Sequence, residues 1–243
     1  MSTHSFLRAA SDAFQPMSPW CQECDAVQHS LSAFGVHNKT CLDVGLENPY
    51  ASLELRKPGG FWYSVARDAE SAVPAAELLQ EDVVPLGPQG ELPFDDRQFD
   101  VVVLANGMIV GDADRDIATL QEAHRVLRSS GILVASIPHR RPSGLANLFH
   151  REAAYTDKQV FELFKQGFDV LRGRTYCRFW THLALSSGYP PGLAAAARWL
   201  DRFVWTPGYR KVFAGRRKLW RPRLTPVLRD GRSLSEAVLF PFG

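Results

Sequence analysis

Apolar positions along the chain switch between two periods, and the switching predicts the architecture. From Pro19 to Phe34 they keep helical spacing: Trp20, Cys24, Val27, Leu31 and Phe34 recur at steps of four and three and mark one buried face. Ser18 suits the N-cap, Pro19 the first helical position, and Gly35 a left-handed helix end. Short apolar runs follow. Cys41-Leu42-Asp43-Val44-Gly45 predicts a strand, and Asn48 before Pro49 predicts a helix that Pro58-Gly59-Gly60 must stop. Phe61 to Arg67, rich in aromatic and β-branched residues, reads as a second strand. A helical stretch near Ala75 to Gln80 leads to a third strand at Val83 to Leu86, and Phe99 to Ala105 reads as a strand buried on both faces. Asp112 to Arg128 reads as a helix ended by Gly131, and Ile132 to Ile137 as a fifth strand.

Strand and helix thus alternate from residue 41 to residue 137. Parallel neighbours need crossover helices, so the pattern predicts an α/β fold: a doubly wound, mostly parallel sheet with helices on both faces. Such sheets bind ligands beyond the carboxyl ends of their strands. The loops after Gly45, Arg67, Ala105 and Pro138 are therefore where chemistry is expected. After His139 the pattern loosens. Thr156 caps a helix to about Lys165, Phe168 to Cys177 reads as a sixth strand, and Glu236 to Phe242 as the last one.

Composition narrows the class without naming a partner. A chain of 243 residues, 45% hydrophobic and 22% charged, can bury one sizeable core. Four cysteines in this length make no disulfide framework, which points to a reducing cytoplasm. The amino-terminal stretch lacks the apolar run of a secretion signal, and no segment is long and apolar enough to span a bilayer. The net charge of +2 hides an asymmetry: residues 198–232 carry eleven Lys or Arg against only Asp201 and Asp230. Trp199, Phe203, Trp205, Tyr209, Phe213 and Trp220 are interleaved with them.

Four segments carry a family resemblance. They are Leu42-Asp43-Val44-Gly45; the block from Leu92-Pro93-Phe94 to Phe99-Asp100-Val101-Val102-Val103; Glu122 with Arg125-Val126-Leu127 and Gly131; and Tyr155-Thr156 with Gly167-Phe168. In order and spacing they resemble the class I S-adenosylmethionine-dependent methyltransferases of the ubiquinone-biosynthesis type. The resemblance implies a Rossmann-like seven-stranded sheet whose last strand is antiparallel, with S-adenosylmethionine across the carboxyl ends of strands one, two and four. It also implies a methyltransferase-like domain over residues 36–243 preceded by a helical segment at 1–35, with the basic stretch at about 178–233 inserted before the last strand.

By the same resemblance, Asp43, Gly45, Glu47, Asp68 and Asn106 are the cofactor-binding candidates. The glycine-rich loop departs from the family at Glu47 and Pro49, which stand where glycines normally let the backbone approach the cofactor. Ala66 stands where the family has the carboxylate that holds the ribose, with Asp68 two residues on. Gly87 to Glu91 replaces the stretch that carries the adenine-contacting Asp. Two readings follow: a methyltransferase with an unusual cofactor loop, or a catalytically inactive scaffold or binding protein on the same fold.

The remaining candidates each have a plain alternative. Asn106 either holds a substrate nucleophile or makes an Asn-Gly turn. His139 either acts as a general base, with an ordinary pKa near ~6.5, or is a surface histidine beside Arg140 and Arg141. Cys21 and Cys24, even with His29, lack a fourth ligand, so helix packing is expected and no metal. Asp95 and Asp96 read as an exposed turn, and His124 as a packing residue. For the basic segment the expectation is a small or lipid-linked anionic acceptor, with peripheral contact to an anionic membrane ahead of nucleic acid. The alternative is a helical cap whose arginines pair with acids on the domain.

Overall fold

The computed structural model of the protein describes residues 3–13, 19–45, 48–105, 107–138, 155–165, 167–178, 196–197, 199–200 and 208–218. β1 (Thr40–Val44) lies in the middle of the sheet, pairing in parallel with β2 (Phe61–Ala66) on one side and β4 (Phe99–Leu104) on the other. β2 pairs with β3 (Val83–Pro85), and β4 pairs with β5 (Leu127–Pro138), again in parallel. β6 (Phe168–Arg178) lies at the edge of the described sheet, and β7 (Gly208–Arg217) slots between β5 and β6, antiparallel to both. The order is β3-β2-β1-β4-β5-β7-β6, the seven-stranded mixed sheet expected, with only the last strand reversed.

Alternation along each strand divides the core into two layers. Leu42 and Val44 face one side with Val102, Leu104 and Leu133, where α5 (Ala113–Val126) and α6 (Asp157–Lys165) pack. Cys41, Val101, Val103 and Val134 face the other, under α2 (Pro19–Ser32) and Leu55 of α3 (Pro49–Arg56). α4 (Ala69–Leu79) covers Ala66 and Val83 on that second face. α1 (Thr3–Ala13) lies against α3 and α4.

Several boundaries moved for identifiable reasons. Gly35 ends α2 in the left-handed region, φ 60°, as its position predicts. α4 begins at Ala69, well before Ala75, because Asp68 caps it and the helix accommodates Pro74. α5 stops at Val126 and not at Arg128, since Leu127 is already extended and opposite Phe99.

The last strand is the main correction. It is Gly208–Arg217, inside the basic segment, so the chain between β6 and β7 runs over 179–207 and not over 178–233. The run Glu236 to Phe242 lies outside the described residues. The 208–217 stretch falls within the expected basic helical insertion and does not read as a strand, because its charges sit at its ends, Arg210 and Lys211 at one and Arg216 and Arg217 at the other. Only Val212, Phe213 and Ala214 need to be apolar, and they are buried between β5 and β6.

The most specific block of the sequence has a structural role. Arg125 on α5 donates through Nε to Glu122 Oε1 at 2.9 Å, through Nη2 to the Leu92 carbonyl at 2.8 Å, and through Nη1 to the Phe94 carbonyl at 2.7 Å. Glu122 Oε2 accepts the Leu92 N–H at 2.9 Å. A planar guanidinium is the side chain that can satisfy a carboxylate and two carbonyls at once. The turn that leads into β4 is thereby tied to the helix that leaves it, at the amino end of the sheet. The exposed Asp96 adds an ion pair to Arg125 at 3.2 Å.

Arg125→Ala should cost about 2–4 kcal/mol in denaturant unfolding, because it orphans a carboxylate and two carbonyls. Arg125→Lys should recover little. The Arg125 hydrogen bond holds the Glu122 carboxyl below its ordinary value of 4.5. A depressed carboxyl stabilises above its unfolded pKa and loses that contribution as pH falls through the folded value. The wild type should therefore lose stability below about pH 4.5 more steeply than Arg125→Ala, in unfolding curves recorded across that range.

Candidate functional site

The carboxyl ends of β1, β2 and β4 meet at one rim, and each is finished by a distinct local device. β1 ends in Gly45, whose φ of 88° is in the left-handed region that favours glycine. Its N–H donates to the Val65 carbonyl of β2 at 2.9 Å. A Cβ at Gly45 would lie 2.3 Å from Met108 Cγ and 3.1 Å from the Ala105 carbonyl oxygen, so Met108 packs on the bare face of the glycine. Met108 belongs to the loop after β4 and is buried.

Behind that turn, Asp43 is buried on the α3 side of the sheet. Its Oδ2 accepts a hydrogen bond from Ser52 Oγ and lies 4.0 Å from Arg56 Nη1. Among the described residues, its Oδ1 has no hydrogen-bond partner. Burial raises the Asp43 carboxyl above its ordinary range, against the lowering effect of Arg56 and Ser52. Arg56 also donates to Ser64 Oγ at 2.6 Å, pairs with Glu81, and lies over the Trp62 ring at 5.6 Å. One guanidinium thus joins α3, β2 and the approach to β3.

Asn48 follows the loop that leaves β1. Its Oδ1 accepts the Tyr50 N–H at 3.1 Å, capping α3, and its Nδ2 donates to the Ala10 carbonyl of α1 at 3.0 Å. The amino-terminal helix is thereby fastened to the start of α3. Beyond β2, Ala66 is buried and Asp68 is exposed. The Asp68 carboxylate caps α4, accepting from Ser71 N–H and Ser71 Oγ at 2.8 Å each. The Ser71 amide bond, foremost, holds its pKa below the ordinary value. The stretch Gly87 to Glu91 closes on itself, with Gln89 N–H donating to Glu91 Oε2 at 3.0 Å.

The loop after β4 is held by a group that sequence reasoning passed over. Asp116, in the first turn of α5 and fully buried, accepts the N–H groups of Val110 at 2.9 Å and Gly111 at 2.8 Å. It also accepts the Tyr155 hydroxyl at 2.9 Å, and Tyr155 N–H donates to the Pro138 carbonyl at the end of β5. Burial raises the carboxyl of Asp116 and the phenol of Tyr155. The acidic run of Asp112, Asp114 and Asp116 reads in sequence as ordinary helix-start chemistry. Asp112 does cap the helix; Asp116 instead faces inward to tie two rim loops together.

Among known proteins, residues 42–135 match the family described as a methyltransferase domain. The matching segment runs from β1 into β5 and so holds the rim described above. Solved structures share its fold. The Burkholderia thailandensis 1,6-didemethyltoxoflavin-N1-methyltransferase with bound 1,6-didemethyltoxoflavin and S-adenosylhomocysteine is 17% identical, with 90% of this chain and 91% of that chain covered at a TM-score of 0.56. The [4+2]-cyclase SpnF is 17% identical, with 90% and 93% covered at 0.60. A Methanosarcina mazei S-adenosylmethionine-dependent methyltransferase is 14% identical, with 78% and 98% covered at 0.58. No curated protein matches the chain.

Set on the methyltransferase fold, the candidates divide. Asp43, Gly45 and Asp68 lie at or just behind the rim, with Asp43 turned toward Ser52 and Asp68 engaged as a helix cap. Glu47, Asn106 and His139 lie outside the described residues. His124 packs edge-on against Phe168 at 5.6 Å, inside the core. Cys24 is buried and its thiol donates to the Ala51 carbonyl at 3.6 Å, which is helix packing; burial pushes that thiol up. Among the described residues, no group of three or more His, Cys, Asp or Glu is placed to hold a metal. No described helix is long and apolar enough to cross a membrane.

Gly45→Ala combines left-handed strain with overlap on Met108 and should cost about 3 kcal/mol in thermal or denaturant unfolding. In a Met108→Ala background the same change should cost about 1 kcal/mol, the residual backbone strain. The difference measures the Met108 contact directly.

Proposed function

We propose that the protein binds S-adenosylmethionine at the carboxyl rim of β1, β2 and β4 and transfers its methyl group to a small or lipid-linked, anionic acceptor. The observation that carries this reading is Gly45. It is a left-handed, side-chain-free turn at the tip of the central strand, inside the segment that matches the methyltransferase domain.

The chain's own residues fit that cofactor in two respects and diverge in two. A bare glycine turn gives close backbone approach, and the neighbouring buried Asp43 keeps an oxygen without a hydrogen bond. Against this, the second strand ends in Ala66 with no carboxylate in that position, and Glu47 and Pro49 replace glycines of the loop. The cofactor supplies a methyl group made electrophilic by a sulfonium. The protein's contribution is positional. Asp116 and Tyr155 fix the loop after β4, Asn48 fixes the helix that follows the cofactor loop, and the acceptor nucleophile is oriented between them. Asn106 and His139 stand in the loops after β4 and β5, where an amide would orient the acceptor and an imidazole would take its proton.

A second reading, a catalytically silent scaffold or binding protein, is favoured by the same departures at Glu47 and Pro49. The fold also carries other chemistry, as the cyclase named above illustrates. Calorimetric titration with S-adenosylmethionine and S-adenosylhomocysteine separates the two. The methyltransferase reading expects both to bind the native chain, Glu47→Gly to tighten binding, and Gly45→Ala to weaken it at least ~10-fold, about 1.4 kcal/mol. Failure of the native protein to bind either ligand, with binding regained in Glu47→Gly, would establish the silent reading.

A further inference from the structure

Among the described residues, β6 lies at the edge of the sheet and pairs only with β7. Register fixes which way its arginines point. Arg172 lies opposite Ala214 and Arg174 opposite Val212, and both partners belong to the layer beneath α2. Cross-strand partners project from the same face, so the two arginines do as well. Arg216, opposite Ile132 of that layer, projects alongside them. Arg172, Arg174 and Arg216 are all exposed.

Their neighbours in the basic segment have internal work, and these three do not. Lys211 pairs with Asp157, Arg217 donates to the Leu127 carbonyl, and Arg210 faces the Pro138 end of β5. Asp169, opposite Arg216, is 3.7 Å from Lys218. Among the described residues, none of Arg172, Arg174 and Arg216 has an acidic partner. Beside them a bulge between Val170 and Arg172 extrudes Leu171, which is 40% exposed.

We propose that this face of β6 and β7 is a docking surface for an anionic lipid bilayer. Guanidinium groups are matched to phosphate, and an exposed leucine among them offers an apolar side chain for the headgroup boundary. An added protein strand fits less well. The bulge interrupts the register another strand would need, and like charges along an edge discourage pairing. Nucleic acid fits less well because the exposed side chain beside the arginines, Leu171, is aliphatic, not an aromatic on which a base stacks. The surface follows from exposure and charge alone, so it stands independently of methyl transfer.

Co-sedimentation of the full chain with vesicles tests it, and needs no cofactor. The chain should bind vesicles of mixed phosphatidylcholine and phosphatidylserine, ignore phosphatidylcholine alone, and be released by salt. Arg172→Ala with Arg174→Ala should lower the partition coefficient roughly 30-fold, at five- to six-fold per cation, in protein with native circular dichroism. Arg172→Lys with Arg174→Lys should keep binding, since the charge survives. Lys57→Ala with Arg115→Ala, the same charge change at exposed positions at the end of α3 and on α5, should also keep it. The proposal is overturned by absent vesicle binding, by an alanine pair that binds like wild type, or by equal loss in the distant pair. It is likewise overturned if those arginines govern a DNA gel shift while vesicles stay unbound.

Discussion

A parallel strand cannot turn straight back into its neighbour, and that restriction organises the whole molecule. β1 has parallel partners on both sides, so the chain must leave at its carboxyl end and return over a face of the sheet before β2 can form. The returns through α3, α4 and α5 are helices with an apolar side, and these helices, with α2 and α6, cover the two core layers. The same restriction gathers the turns after β1, β2, β4 and β5 at one rim and leaves the opposite rim to returning chain. Gly45 sits where that geometry is tightest, between the ends of β2 and β4, and only a residue without a side chain fits beneath Met108.

The two rims are built with different chemistry. At the amino end, charged side chains hold backbone. Arg125 binds the carbonyls that lead into β4, Arg128 pairs with Asp100, and Arg217 reaches the Leu127 carbonyl. At the carboxyl end, short polar side chains shape the loops: Asn48 caps α3, Asp68 caps α4, and Asp116 gathers two amides and a tyrosine hydroxyl. The first arrangement resists unfolding. The second holds irregular backbone in place with its amides satisfied, as a ligand-facing loop requires. The most recognisable run in the sequence, Leu92 to Phe99 with Glu122 and Arg125, therefore marks the fold and not the reacting centre.

Much of the fold was legible along the chain because its signals are local. Periodicity located α2, β1, β2, β4 and α5, and cap residues such as Asn48 and Gly35 located ends. β7 was not legible. Its apolar content is three residues, and its fitness as a strand comes from the slot between β5 and β6. Of the candidate site, Asp43, Gly45 and Asp68 lie at or just behind the rim. Met108 and Asp116 were missed, since a methionine after a strand and an aspartate in a first helical turn are unremarkable in one dimension.

By itself the sequence determined the alternation of strands and helices, the glycine at the tip of the first strand, and the match of residues 42–135 to a methyltransferase domain. These depend on spacing of a few residues, and spacing survives in one dimension. Only the tertiary structure decided that the basic stretch supplies the seventh strand and that Asp68 spends its carboxylate on a helix cap. It also decided that three of the arginines are left facing outward while their neighbours are consumed. Those outcomes turn on which groups meet across long separations in the chain, and burial and register, not order along the backbone, settle that.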